Sequence, residues 1–538
     1  MGVGKRSNAQ YHPTISSMKI ISIASDGFYH PENDDQIRDL LLYAVENGLK
    51  VRVRGSGHSV RDSIYTGNRK TNNGIDIILD RMTAVSIDRG KKQVTVQTGC
   101  HLGRDPFDLA ESSDIKNSLF YQLDQAGLAL PDMGGIIHQT VGGFLSTGSA
   151  GGSIKHSFGE QLIALKIIDG NGEIHYVTRE RKDDLFFAAG VSVGLLGIIT
   201  EATFQCVDAF HVIGEESTTT IDECSIDLFG DGTYGRPGIE DFLCNTEYAR
   251  LMWWPQKKVR RMVVWKARRM QTSDYKQGNT SRGNENSPES RELFTPKPYL
   301  EFPLYRETEL TAETANGLFY TVVGNWHQAM RKFKISFPIK TALSFIAWLY
   351  PLHILPGVIK EFVPLDNEKR PQGPQKFWDT WWHGLPMDNR MNDRIMPTEF
   401  TEIWIPVSKA GSVMSKLREL YDSKGYNATG SYSCEIYAAK KSDFWLSPSY
   451  NDDVIRINIF WFGYNAGKPV ECYYPQFWKL FTEDKTLQCR FHWGKYMPVN
   501  PEYLRQHYPR WNDFFALRDK IDPNRIFVTD YWAKHLGI

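Results

Sequence analysis

Between Pro131 and Gly152 the chain places seven glycines, at 134, 135, 142, 143, 148, 151 and 152, with no repeat to account for them. Ordering glycine costs more chain entropy than ordering any other residue. A segment this rich in it is therefore either a tight loop bundle or a surface laid flat against a long ligand, and the ligand is the better explanation. A second glycine turn, Gly55-Ser56-Gly57-His58-Ser59, follows the short alternating strand Val51-Arg52-Val53. Such a turn brings backbone N–H groups close to a pyrophosphate. It is not the GxGxxG fingerprint, because Val60 stands where the third glycine would be, and GxxxxGK[ST] is absent as well.

The rest of the chain narrows the class. Its 538 residues exceed one compact core, so two or three domains are expected. Lys plus Arg equal Asp plus Glu at 63 each, which argues against a nucleic-acid partner. Seven widely spaced cysteines without a CxxC or Cys/His cluster suggest neither a disulfide framework nor a metal site. The first seventeen residues lack an apolar run, so a secretory signal is not expected. An intracellular, cytoplasmic location is the default. The most apolar stretch, 339–359, contains Lys340, Pro351, His353 and Pro356. It is expected to be a buried helix pair and not a transmembrane span, with peripheral membrane contact left open.

Local patterns set the order of elements. Ile37, Leu40, Leu41, Ala44 and Val45 follow helical spacing, and Asn47-Gly48 supplies the stop. Strands are expected at 75–79 and 94–96, and a helical stretch over 99–129. A strand at 162–168, the turn Asp169-Gly170-Asn171-Gly172 and a return strand at 174–177 form a hairpin. A short helix opens at Asp184, and 194–204 leads into another strand. Beyond 208 the texture changes. The polar run 271–292 reads as an insertion, 365–395 as loop, 400–406 and 455–462 as strands, and 501–519 as a helix.

Four motifs then fall in a fixed order: GSGHS after a strand, TVGGFLSTGSAGG, the segment ALKIIDGNGEIHYVTRERKDDLFFAAGVSVGLLGIITEATFQ, and Phe491-His492-Trp493-Gly494-Lys495. Together they resemble the vanillyl-alcohol-oxidase, or PCMH-type, family of FAD-linked oxidases. The last motif resembles the HWxK signature of the aldonolactone (D-arabinono-1,4-lactone) and alditol oxidase branch, as do 434–450 and 521–531. The resemblance covers 30–207 and 400–535.

The resemblance implies an FAD site built from Arg54, Gly55, Ser56, Gly57, His58, Ser59, Asp62, Gly134, Gly135, Thr140, Gly142, Gly143, Ser146, Thr147, Gly148, Gly151, Gly152, Gly197, Ile198 and Ile199. His58 falls where many members attach the flavin covalently. On the other side of the ring it implies Lys495 as a cation facing the reduced flavin, with His492 orienting that lysine or taking the substrate proton. Glu435 matches the first residue of the branch's Glu-x-Arg pair, and Tyr437 replaces its arginine. Aromatics over 457–462 stand where alditol oxidases use His and Thr. Both departures predict a more apolar pocket and a bulkier substrate than a simple polyol. Glu402 is a further candidate for a polar wall.

The expected protein is α+β: an arm at 1–19, a PCMH-type FAD domain at 20–207, a substrate (cap) domain at 208–479 built on an antiparallel sheet with flanking helices and carrying an insertion at 271–395, and a segment at 480–538 completing the flavin site. The expected activity is oxidation of a CH–OH group on a small-molecule, sugar-derived alcohol or lactone by hydride transfer to flavin N5, with O2 as acceptor. A flavin dehydrogenase acting on a lipid-linked or aromatic alcohol and passing electrons to a quinone or protein, and a catalytically inactive flavin-fold binding protein, are the alternatives.

Overall fold

The computed structural model describes residues 19–67, 74–274, 294–301, 317–320, 355–369, 371–390, 392–463 and 468–538. Nearly all of the expected N-terminal arm, most of the 271–292 insertion and most of the apolar stretch 339–359 lie outside these residues.

The first helix, Asp34–Asn47, buries Ile37, Leu40, Leu41 and Ala44 as the spacing predicts. The Asn33 side chain accepts the Gln36 N–H at its start, and Gly48 closes it in a left-handed conformation at φ 62°. The chain then enters the strand Lys50–Val53, which pairs in parallel with Gly74–Ile77. The GSGHS turn lies in the connection between these two strands.

Only Leu119–Gln125 of the expected helical stretch over 99–129 is helix. The polar side chains explain the difference. Asp108 accepts the N–H groups of Ser112 and Ser113, and Asp105 accepts that of Phe107. These short-range bonds offer the backbone an alternative to helix.

A five-stranded antiparallel sheet follows, in the order Val85–Asp88, Gln93–Gln97, Ile198–Gln205, Leu162–Ile168, Ile174–Thr178. Its hairpin turns at 169–172, where the Asp169 carboxylate accepts the N–H groups of Asn171 and Glu173. The same carboxylate meets His175 Nε2 at 2.8 Å.

The second sheet has eight strands in the order Gln375–Thr380, His211–Thr220, Arg261–Arg269, Tyr248–Trp254, Ser433–Ala439, Val454–Phe462, Thr398–Pro406, Arg490–Phe491. Every neighbouring pair is antiparallel. Two of its strands depart from expectation. Gln375–Thr380 lies inside the stretch read as loop, and Arg490–Phe491 brings the C-terminal segment into this sheet. The expected helix over 501–519 is two helices, Pro501–His507 and Trp511–Ile521, because Pro509 cannot continue the first.

Side chains alternate across this sheet. On one face Trp253 and Cys434 pack against Tyr421 of the helical segment Ala410–Thr429. Burying a side chain of this size stabilises the fold by roughly 1.5–3 kcal/mol. The other face turns Arg250, Met252, Trp254, Glu435, Tyr437, Arg456, Asn458 and Phe460 toward a cavity. All seven cysteines are free. Among the described residues no helix is long and apolar enough to cross a membrane.

Candidate active site

The cavity has a volume of about 420 Å³ and lies between the glycine turns and the eight-stranded sheet. Gly55 to Ser59 line one wall, with Arg52, Arg54, Gly134, Gly135, Thr140, Gly142, Gly143, Ser146, Thr147, Gly197, Ile198 and Ile199. Most of the predicted cofactor residues are therefore assembled here.

Four are not. Asp62 is exposed on the short helix after the turn. Gly148, Gly151 and Gly152 lie behind the cavity wall and are absent from its lining. A Cβ on Gly151 would collide with the Met133 carbonyl and the Asp132 carboxylate, and one on Gly152 with the Ala249 carbonyl. At this end of the segment glycine is required by close backbone packing, whereas Gly134, Gly135, Gly142 and Gly143 line the cavity with their own side of the chain packed against Ile136, Asp388, Thr98 and Thr140.

The wall accommodates a dinucleotide flavin. Arg52 and Arg54 are cations that line the cavity, and each Nε is buried without an acceptor. Burial lowers the Arg52 pKa to about 10, Asp76 partly offsetting it, so the guanidinium stays charged at neutral pH. A pyrophosphate supplies acceptors of this kind. The Gly55 Cα faces Thr140, whose Oγ1 would lie 2.5 Å from an added Cβ, so only backbone fits there. His58 Nε2 is buried and without a partner in this wall, while Nδ1 lies 3.6 Å from Asp393.

The rest of the lining carries the predicted catalytic residues, with Lys495 against the GSGHS turn and Glu435 and Tyr437 on the sheet. Lys495 Nζ donates to the His58 carbonyl at 3.0 Å and sits 3.9 Å from the Phe400 ring centre. Burial lowers its pKa, against the pull of Glu402 and Asp393. The Gly494 N–H donates to His492 Nδ1 at 3.0 Å, which places the single proton of the neutral ring on Nε2. Burial lowers the His492 pKa to about 4, with Glu402 opposing the shift. Its Nε2–H faces Ser149 Oγ at 3.4 Å. His492 is thus a hydrogen-bond donor at neutral pH, and the expectation that it takes the substrate proton does not fit this geometry.

The pocket is also more charged than Tyr437, Phe460 and Phe462 suggest. Arg250, on the strand beside Glu435, points its guanidinium into the same space. It reaches Asp388 at 2.8 Å, the Tyr299 hydroxyl at 3.1 Å, Glu216 at 3.5 Å and Glu435 at 3.7 Å. Burial works against its charge, but Asp388 and its other acidic neighbours raise its pKa well above the ordinary value. A cation absent from position 437 is thereby supplied by the adjacent strand. Arg456 is a second cation. It contacts Glu402 at 2.8 Å and donates to the carbonyls of Ala150 and Gly151 at 2.7 Å, tying the sheet to the glycine segment. Burial raises the Glu402 pKa, but Arg456, His492 and Lys495 outweigh it and hold the carboxyl low.

A count of protons at Tyr437 is informative. Its hydroxyl lies 2.7 Å from Glu435 and 2.8 Å from Asp388. One hydroxyl proton can be given to one carboxylate only. The other contact then requires a proton on the carboxyl side. Burial, reinforced by Asp388 and opposed by Arg250, raises Glu435 to about 8, in agreement with the count. Asn458 donates to the other Glu435 oxygen at 3.0 Å. Sequence reading missed Arg250, Asp388, Arg456 and Asn458. The one available signal was a charged residue at an inward position of an otherwise apolar strand, as in Tyr248–Trp254.

Residues 377–535 match the family model described as D-arabinono-1,4-lactone oxidase, and residues 25–104 and 111–178 match that of an FAD binding domain. L-gulonolactone oxidase of Bos taurus is 24% identical over 521 residues, spanning 94% of this chain and 94% of that protein. D-arabinono-1,4-lactone oxidase of Eremothecium gossypii is 29% identical over 245 residues, 44% of this chain and 40% of that protein. The crystal structure of cholesterol oxidase from B. sterolicum superposes with a TM-score of 0.64 at 14% identity, covering 94% of this chain and 93% of that one. That last likeness is one of fold.

Proposed function

Because this chain belongs to the PCMH-type FAD-linked oxidases, alongside aldonolactone oxidases, we infer that it oxidises the CH–OH group of a sugar lactone or related alcohol, with FAD as cofactor and O2 as acceptor. The observation that carries this reading is the convergence of Lys495, Glu435, Asn458 and the His492 Nε2–H on a cavity that the GSGHS turn also lines. The flavin domain is assigned to 20–207 and the cap to 208–479, with 480–538 returning to complete the site. Seven free thiols fit a reducing compartment inside the cell.

The chemistry a bound flavin supplies is two-electron acceptance from the substrate carbon. The chain's own groups do the rest. Arg52, Arg54 and the backbone of 55–59 would hold the pyrophosphate, and 139–147 and 197–199 would contact the rest of the cofactor. Lys495 provides preorganised positive charge in a site where negative charge develops, which is electrostatic catalysis. Glu435 and Asp388, bridged by Tyr437, accept the hydroxyl proton of the substrate. Arg250 compensates the charge of that pair. The His492 Nε2–H and the Asn458 amide orient oxygen atoms.

His58 is the candidate for a covalent flavin link, its free nitrogen being Nε2. Acid precipitation tests this: flavin staying with the protein pellet, and leaving it in His58→Ala, is the expected result. Flavin released from the wild type refutes the link. The activity itself is tested by anaerobic bleaching of the flavin with L-gulono-1,4-lactone and D-arabinono-1,4-lactone, followed by peroxide formation on admitting air. A flavin that neither lactone nor a panel of sugar alcohols bleaches refutes the reading.

A further inference from the structure

The face that the eight-stranded sheet turns to the cavity grades from charge to hydrocarbon. Register sorts its side chains into rows. Tyr437 stands opposite Arg456 in the first row. Two residues along, Met252 pairs with Glu435, Glu435 with Asn458 and Asn458 with Glu402. Two residues further, Ser433 pairs with Phe460 and Phe460 with Phe400, and Trp254 lies at the same end of its strand. Each row is about 7 Å from the next, so polarity falls away over roughly 13 Å.

Other segments close the apolar end. Phe319, Phe362, Val363 and Met396 line the cavity beside Trp254 and Tyr432, and all six are buried. They form part of a hydrophobic cluster separate from the main core. Few polar groups are found at this end, Ser433 Oγ being one that is buried without a partner among the described residues. The Tyr432 hydroxyl is engaged with Thr398 Oγ1 at 3.3 Å. The buried Trp254 indole N–H has no acceptor among the described residues. A polyol filling this chamber would leave its hydroxyls unpaired, each at a cost on the order of tenfold in affinity. Stacking of a sugar on one aromatic face needs one ring, and here rings from several chain segments surround the space.

We propose that the cavity takes an amphiphilic alcohol: a hydroxylated ring held at Glu435 and Asn458, joined to an alkyl or aryl group that fills the chamber at Trp254 and Phe460. An acceptor atom near the junction pairs with the Trp254 N–H. This rests on the CH–OH oxidation inferred above and names the class of molecule that carries the reacting group.

The test is a series of n-alkyl β-D-glucosides, methyl to octyl, titrated below their micellar concentrations into the oxidised holoenzyme. Binding is read from perturbation of flavin absorbance and tryptophan fluorescence, neither of which requires turnover. Affinity is expected to climb by up to about fourfold per methylene until the chamber is full. Phe460→Ala is expected to weaken the octyl compound more than the methyl one. An affinity that stays level along the wild-type series overturns the proposal, whatever the variant does. Bleaching by L-gulono-1,4-lactone is run in parallel. Lactone oxidation with a level alkyl series removes the chamber and leaves the oxidase reading standing. A steep series with no lactone or alcohol oxidised supports the chamber and removes the oxidase reading.

Discussion

Arg250→Met tests whether charge compensation holds the substrate side of the cavity together. Arg250 is 5% exposed and is the cation shared by Glu216, Asp388 and Glu435. Methionine keeps the apolar stem and removes the charge. Deleting one partner of a buried ion pair costs about 3–5 kcal/mol, because the remaining charge stays buried. That is the expected loss at pH 8. The carboxyls can escape the penalty by taking up protons, and each one that does so recovers about 1.4 kcal/mol per pH unit. With two carboxyls responding, most of the loss is gone roughly 1.5–2 pH units lower. The sign follows from proton counts. The variant's folded state binds more protons than its unfolded chain, where these groups ionise near their ordinary values, so its stability rises as pH falls. The assay is the thermal midpoint of variant and wild type by circular dichroism at pH 6 and pH 8. A gap that closes toward pH 6 is expected. A gap equal at the two values, or wider at pH 6, would refute charge compensation and leave Arg250 as a space-filling side chain.

Tyr437→Phe removes the hydroxyl that lowers the Glu435 pKa, so the ascending limb of the pH–kcat profile, set near 8 where that carboxyl becomes free to accept a proton, is expected to move upward, with about 1.5–3 kcal/mol of stability lost; an unmoved limb removes Glu435 from the reaction. The folded-state Glu435 pKa lies above its unfolded value, so its contribution to stability is complete below about pH 4.5 and is lost as pH rises through about 8; pH-dependent unfolding that shows the opposite slope across this window in wild type, with Tyr437→Phe unchanged from it, would contradict the assignment. Lys495→Met should slow anaerobic flavin reduction by roughly 10²–10³-fold while flavin content stays near normal, and stopped-flow reduction at an unchanged rate rules out the electrostatic role. Gly151→Ala is expected to cost about 1–3 kcal/mol by overpacking, in flavin-free protein as much as in holoprotein; a loss confined to holoprotein would show that Gly151 serves the ligand after all.

The sequence alone determined the things that local chemistry fixes. The Asn47-Gly48 stop, the Asp169 hairpin and the GSGHS turn each depend on a few adjacent residues, and each is found where the spacing puts it. Ordered motifs were enough to point to an FAD-linked family, and most of the residues they singled out line one cavity. One local feature escaped the spacing rule, and two others were decided by tertiary structure. Loop side chains at Asp105 and Asp108 outcompeted a helical pattern by bonding their own backbone. The glycines at 151 and 152 proved to serve packing against Met133 and Ala249, a contact between residues far apart in sequence. The charge missing at Tyr437 came from Arg250, nearly two hundred residues earlier, through antiparallel pairing of their strands. A one-dimensional motif registers a residue at its own position, whereas an electrostatic site needs only that the charge reach the same point in space.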